Sequence, residues 1–286
     1  MTKRVISVFL CALCVISSFS FTVSAKENKG YTSDNFLSVA DGIIAWKKAD
    51  NGSEPDGYLI NDKYLENAGT TPGDWYPIAL GRLGIQDNNE GYLAVIKDRV
   101  EERYRESGRL SAAKATEWHR IALAVLAMGG DPTNFGTDEN GAPINLIADG
   151  TYDRGKTTPL GRQGINGWIW GLITLDSMRY AVPDGAYNTR DDIIVEIISK
   201  QLSDGGFALS SDDADPDITA MAITALAPYY NSEKIYSYHR KALSADESKT
   251  VHEVVDEAVL CLSRLQLDTG DYKSWGTQNV ESTDWV

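Results

Sequence analysis

Asp215-Pro216-Asp217-Ile218-Thr219-Ala220-Met221-Ala222-Ile223-Thr224-Ala225-Leu226-Ala227 sets an acidic pair and a proline ahead of ten residues that are small or apolar on nearly every side. Aspartate suits a helix N-cap and proline the first turn, so the stretch predicts a helix that opens at this point. A helix without a polar face has to be enclosed by protein. The run is too long and too Ala-rich for a strand, which excludes a βαβ reading.

The same arrangement recurs in both directions along the chain. Asp74-Trp75-Tyr76-Pro77-Ile78-Ala79-Leu80 aligns with Glu117-Trp118-His119-Arg120-Ile121-Ala122-Leu123, and Asn166 leads to Trp170-Gly171-Leu172 as Asp217 leads to Met221-Ala222-Ile223. A fifth copy opens at Glu281-Ser282-Thr283-Asp284-Trp285. The leading residues are 43, 49, 51 and 64 positions apart, the span of a helical hairpin and a loop.

Between these dry segments lie amphipathic ones. Val251, Val254, Val255, Ala258, Val259, Leu262 and Leu265 make one apolar stripe, and Ile193, Ile194, Ile197, Ile198 and Leu202 make another. Weaker stripes run from Tyr92 to Tyr104 and from Phe36 to Trp46. Wet helices alternating with dry ones predict an all-α fold, an α/α toroid of about five hairpins with the last truncated. Polar loops carry the breakers, and the Gly-rich stretch 134–164 reads as a long surface loop in which only Ile144 to Ala148 is helical in pattern.

In such a ring the inner helices all begin at one mouth, which brings Asp74, Glu117, Asn166, Asp217 and Glu281 together. Any one carboxylate there is explained as a cap on its own helix. Five around one opening would focus a negative potential that draws cations and hydrogen-bond donors. Trp75, Tyr76, Trp118, Trp168, Trp170 and Trp285 stand at the same level, either packing between helices or lining a pocket for a flat ligand.

Composition narrows the setting. Lys3 and Arg4, the apolar run Val5 to Val23 and the small residues Ser24 and Ala25 read as a signal peptide over residues 1–25, leaving a single domain over 26–286. Removing it deepens the formal net charge from −14 to −16, a poor match for nucleic acid or anionic lipid. The expectation is a secreted or cell-surface protein, not an integral membrane protein once the signal is cleaved. Cys11 and Cys14 leave with the signal, so Cys261 is the only remaining thiol and reads as structural.

Gln201-Leu202-Ser203-Asp204-Gly205-Gly206-Phe207, followed by Asp215 to Met221, is the most specific stretch. It resembles the prenyltransferase and squalene-cyclase repeat family, whose repeats pair Q-x-x-x-G-G-[WF] with a following inner helix. Gln266 to Tyr272, with Trp275-Gly276 and Glu281-Ser282 after it, looks like a second copy. The likeness spans Asp74 to the chain end and is clearest over 189–286. It implies the α/α toroid of the terpenoid cyclase-like superfamily, shared by the toroid domain of cobalamin carriers.

In class II cyclases of that superfamily an inner helix opens with D-x-D-D-T-A, and the middle Asp protonates the substrate. Asp215 and Asp217 match the first and middle Asp, while Ile218 replaces the last. The zinc site of protein prenyltransferases is not reproduced by His119, His239, His252 and Cys261, and the thioester sequence of complement-like members is absent.

These readings favour an exported module that binds a small molecule or a surface partner at an acidic, aromatic mouth, without catalysis. Its ligand-binding candidates are Asp74, Trp75, Tyr76, Glu117, Trp118, His119, Asn166, Trp168, Thr219 and Glu281. No cofactor is expected, a divalent cation at the mouth being the single candidate. Two alternatives stay open. One is a cyclase-like isomerase with Asp217 as proton donor and Asp215 as its neighbour, and the other is an extracellular glycan-processing enzyme using Glu117 and Asp217.

Overall fold

Local chemistry sets the helix ends. Asp215 caps its helix by accepting from the Ile218 amide at 3.1 Å, and Thr189 and Thr250 each close a reciprocal capping box with the residue three positions on. Gly84 and Gly108 terminate two others in the left-handed conformation that glycine adopts without a Cβ penalty. The computed structural model describes residues 33–155, 158–274 and 276–286. The signal-peptide reading over 1–25, with Cys11 and Cys14, and the Trp275 position of the second motif lie outside the described residues.

The protein is all-α in character, with 54% helix and only short strands. The described residues fall in two compact units, the first ending at Asp56 and the second spanning Gly57–Val286. The described part of the first is α1 (Ser33–Asn51), closed by Gly52 at φ 78°. The second unit carries α2 (Asp62–Leu65), α3 (Thr71–Leu83), α4 (Asn89–Ser107), α5 (Thr116–Ala127), α6 (Ile165–Asp176), α7 (Arg190–Ile198) and α8 (Pro216–Leu226). A hairpin of β1 (Ile235–Arg240) and β2 (Ala245–Thr250), then α9 (Val251–Leu265), a small hairpin of β3 (Tyr272–Ser274) and β4 (Thr277–Asn279), and α10 (Val280–Trp285) complete it.

The dry helices neighbour one another in chain order: α3 packs on α5, α5 on α6, α6 on α8 and α8 on α10. The wet ones lie against them, α7 on α6 and α9 on α8. The stripes of α7 and α9 mark buried faces, with Ile193, Ile194, Ile197 and Ile198 fully buried and Val251, Val254 and Ala258 likewise, whereas Phe36, Ile43 and Trp46 of the α1 stripe are exposed. Val259, expected in the α9 stripe, is exposed instead.

Close helix contact needs small residues. A Cβ on Gly81 would sit 2.1 Å from the Ala127 carbonyl oxygen, so α3 and α5 meet backbone to backbone there. Pro77 inside α3 deprives the Gly73 carbonyl of its helical donor, and the Tyr64 hydroxyl donates to that carbonyl at 3.1 Å.

Two expectations are corrected. The stretch 134–164 is not simply a surface loop: Ile144, Leu146 and Ile147 are buried, and a π-helical turn, Ala148–Tyr152, packs on α5 and α6. The β1–β2 hairpin was not anticipated. Tyr236, Tyr238 and Arg240 alternate inward along β1, but its partner strand Ala-Asp-Glu-Ser-Lys-Thr carries no apolar alternation to reveal it.

Candidate ligand-binding cavity

The two glutamine–glycine segments, the second with Asp271 in place of the second glycine, are structural and fold alike. Gln201 Nε2 donates to the Gly205 carbonyl at 2.8 Å, as Gln266 Nε2 donates to that of Gly270 at 3.0 Å. Gly205 and Gly270 share the same positive φ, 91° and 92°. The Phe207 amide donates to Thr219 Oγ1 at 2.9 Å, and the Tyr272 amide to Thr283 Oγ1 at 3.1 Å. Each motif therefore bolts a loop onto the first turn of the next dry helix. This equivalence fixes Asp217 against Glu281, in the register read from the sequence. Thr219 is fully buried in this joint, with no side-chain atom left for a ligand.

A cavity of about 500 Å³ is bordered by the first turns of three dry helices. Thr71 and Trp75 come from α3, Thr116, Glu117 and Arg120 from α5, and Asn166 and Trp170 from α6. Met221 of α8 and Trp285 of α10 close its far side. The indoles of Trp75 and Trp170 lie 5.7 Å apart, and Trp170 meets Trp285 edge-on at 6.0 Å. Trp75 and Trp170 also wall a second cavity of about 490 Å³, with Ile78, Leu123 and Ile173 one turn further along the same helices. The tryptophan pair thus stands between two chambers.

The expected residues divide between this cavity and the core. Trp75, Glu117 and Asn166 line it, and Oδ1 of Asn166 is buried there without a hydrogen-bond partner among the described residues. Asp74 does not: it is fully buried, and its carboxylate accepts from Arg120 Nε at 2.8 Å, the Tyr92 hydroxyl at 2.7 Å and the Gly69 amide at 2.7 Å. Burial pushes the Asp74 carboxyl up, and those three donors oppose the push. Tyr76 meets Tyr64 edge-on, and Trp168 packs over Gly161. His119 is fully buried, its Nε2 at 2.9 Å from the Gly150 carbonyl oxygen, and burial drives its pKa down to about 3, so the ring is neutral. Trp118 is buried on another side of α5, where its Nε1 donates to the Tyr104 hydroxyl.

Arg120 is the residue that sequence reasoning missed. It binds Asp74 through Nε and Glu117 through Nη1 at 2.8 Å, bridging α3 and α5 beneath the cavity. Burial works against the charge of Glu117, but Arg120 and Arg103 overcome it and hold the carboxyl below its ordinary value. Two carboxylates of the supposed acidic mouth are therefore neutralised by arginine. Only its repeat position, four residues beyond Thr116, could have placed Arg120 in the cavity wall.

Asp215 and Asp217 lie at the start of α8. Asp215 is held as the cap and by the Ser274 hydroxyl at 3.1 Å. Oδ1 of Asp217 is buried without a hydrogen-bond partner among the described residues. Burial raises this carboxyl and the charges of Asp215 and Glu281 add to the shift, while the nearby Ser282 hydroxyl opposes it without reaching hydrogen-bond geometry. Glu281 itself is exposed. Among the described residues no three His, Cys, Asp or Glu side chains are grouped to hold a metal ion, and no described helix is long and apolar enough to cross a membrane.

The fold and site define a mostly helical protein with a tryptophan-walled cavity between its dry helices. No family model, curated protein or solved structure matches the chain.

Proposed function

We propose that this chain is an exported α/α-toroid module that holds a ligand in the Trp75–Trp170–Trp285 cavity without chemically altering it. One observation carries the reading: dry helices far apart in sequence, packed in chain order, contribute their first turns to one aromatic cavity. A few polar groups, above all the free acceptor of Asn166, would orient a largely apolar guest. The pairing of Glu117 with two arginines supports binding over acid catalysis, because a carboxyl held ionised cannot donate a proton at neutral pH.

The test uses N-phenyl-1-naphthylamine, a neutral apolar fluorophore of suitable size. The protein is expected to bind it with quenching of tryptophan emission, and Trp75→Ala or Trp170→Ala to weaken binding about tenfold, an aromatic anchor being worth roughly 1–2 kcal/mol. Unchanged affinity in both variants sinks the reading.

A second reading, the cyclase-like isomerase, is favoured by Asp217 alone: a buried, unpartnered carboxyl oxygen with a raised pKa beside another Asp. Incubation with linear and oxidised polyprenes decides it. A cyclised product that disappears in Asp217→Asn would replace the non-catalytic reading, and absence of product would eliminate the isomerase.

A further inference from the structure

A second pocket lies away from the tryptophan pair, where the end of α4 and the turn after it face the π-helical turn. It has a volume of about 290 Å³, and Arg109, Ser111, Trp118, Arg154 and Thr158 contribute to its wall. Arg154 is 6% exposed. Its guanidinium lies over the Trp118 ring at 4.3 Å, and Nη1 makes one long contact, 3.5 Å, to the Asp149 carbonyl oxygen. Nε and Nη2 are buried and, among the described residues, donate to nothing.

Unmade hydrogen bonds from a buried cation are costly, and few survive in a folded protein without a reason. These two N–H groups form one edge of the guanidinium, the edge that grips two oxygens of a single carboxylate or phosphate. Arg109 lies close enough for its charge to oppose that of Arg154, and Asp149 close enough for its charge to favour it. Among the described residues neither arginine has a carboxylate within ion-pair distance, in a chain with 41 acidic and 27 basic residues. Asp149 and Asp153 also border the pocket, but the Asp149 carboxylate already accepts from the Tyr104 hydroxyl at 2.6 Å. Ser111 Oγ accepts from the Lys114 amide at 3.0 Å, which leaves its hydroxyl hydrogen to donate.

We infer that this pocket binds a small oxyanion, a carboxylate or a tetrahedral phosphate or sulfate group, on the free edge of Arg154 with Arg109 and Ser111 as supporting donors. The site is distinct from the tryptophan cavity and does not depend on the function proposed for it. Because the edge is closed to solvent, an incoming oxyanion displaces its cover and perturbs the stacked Trp118 indole.

Calorimetric titration with inorganic phosphate, sulfate and acetate at matched ionic strength in chloride tests this, alongside the indole N–H spectrum of the ¹⁵N-labelled protein. The Trp118 signal is identified by its loss in Trp118→Phe. At least one anion is expected to bind with millimolar affinity or better and to shift the Trp118 signal. Arg154→Gln should abolish binding, and Arg109→Gln should weaken it several-fold. Phosphate or sulfate binding without acetate assigns a tetrahedral ligand, and the reverse assigns a carboxylate. The inference is overturned if none of the three anions binds, if the shift falls on other indoles, or if Arg109→Gln binds like the parent. Arg109 is exposed, so that variant decides the matter even where Arg154→Gln does not fold.

Discussion

Arg120 shows how one side chain can reverse the meaning of its neighbours. Asp74 and Glu117, read as ligand-facing acids, are the two anions that make a buried arginine tolerable. Replacing Arg120 by Met leaves the fully buried Asp74 without its counter-ion. The expected loss is about 3–5 kcal/mol in urea unfolding, of which Asp74→Asn in the same chain should restore a large part. Glu117 gives a pH prediction. Its folded pKa lies below its ordinary 4.5, so its stabilisation is complete above that pH and is lost as pH falls toward the folded value. Glu117→Gln should therefore cost roughly 1.5–3 kcal/mol at pH 7 and flatten the decline of stability on acidification; a parallel decline in parent and variant would refute the assignment.

At the level of elements, the paired glutamine loops explain why two distant stretches look alike in sequence. Each glutamine closes its own glycine turn, and each following amide docks on a threonine of the next dry helix. The copies differ in burial. Gln201 is fully buried and also donates to the Val254 carbonyl of α9 at 2.9 Å, whereas Gln266 makes its bond at the surface. Gln201→Ala should cost about 1–3 kcal/mol, because two buried carbonyls lose their donor, and Gln266→Ala less than about 1. Equal losses in chemical denaturation would mean that the second contact carries no weight. Arg240, buried at the end of β1, donates to the Gln201 carbonyl at 3.1 Å, so the unanticipated hairpin braces the same loop.

Across the second unit, the consequence is a cavity whose nearest acids are compensated, within a chain of strongly negative net charge. A neutral guest should therefore bind with nearly the same affinity from about 0.05 to 0.5 M salt, since paired charges project little field. A steep rise in the affinity of a cationic amphiphile as salt is lowered would restore the acidic mouth. The sequence by itself determined the helical class, the alternation of dry and wet helices, the faces of α7 and α9 and the two glutamine–glycine loops. Those features are set by composition and by periodicity along a single segment. Only the tertiary structure decided which side of each dry helix meets the cavity. A helix apolar all round has no moment to fix its phase, and each residue of misalignment turns a side chain by about 100°. The sequence accordingly puts Asp74 at the head of α3, whereas Thr71 and Trp75 face the cavity and Asp74 turns into the core. Arg120 and Arg154 escaped for the same reason: what a charged side chain does is set by partners tens of residues away, and no local pattern records them.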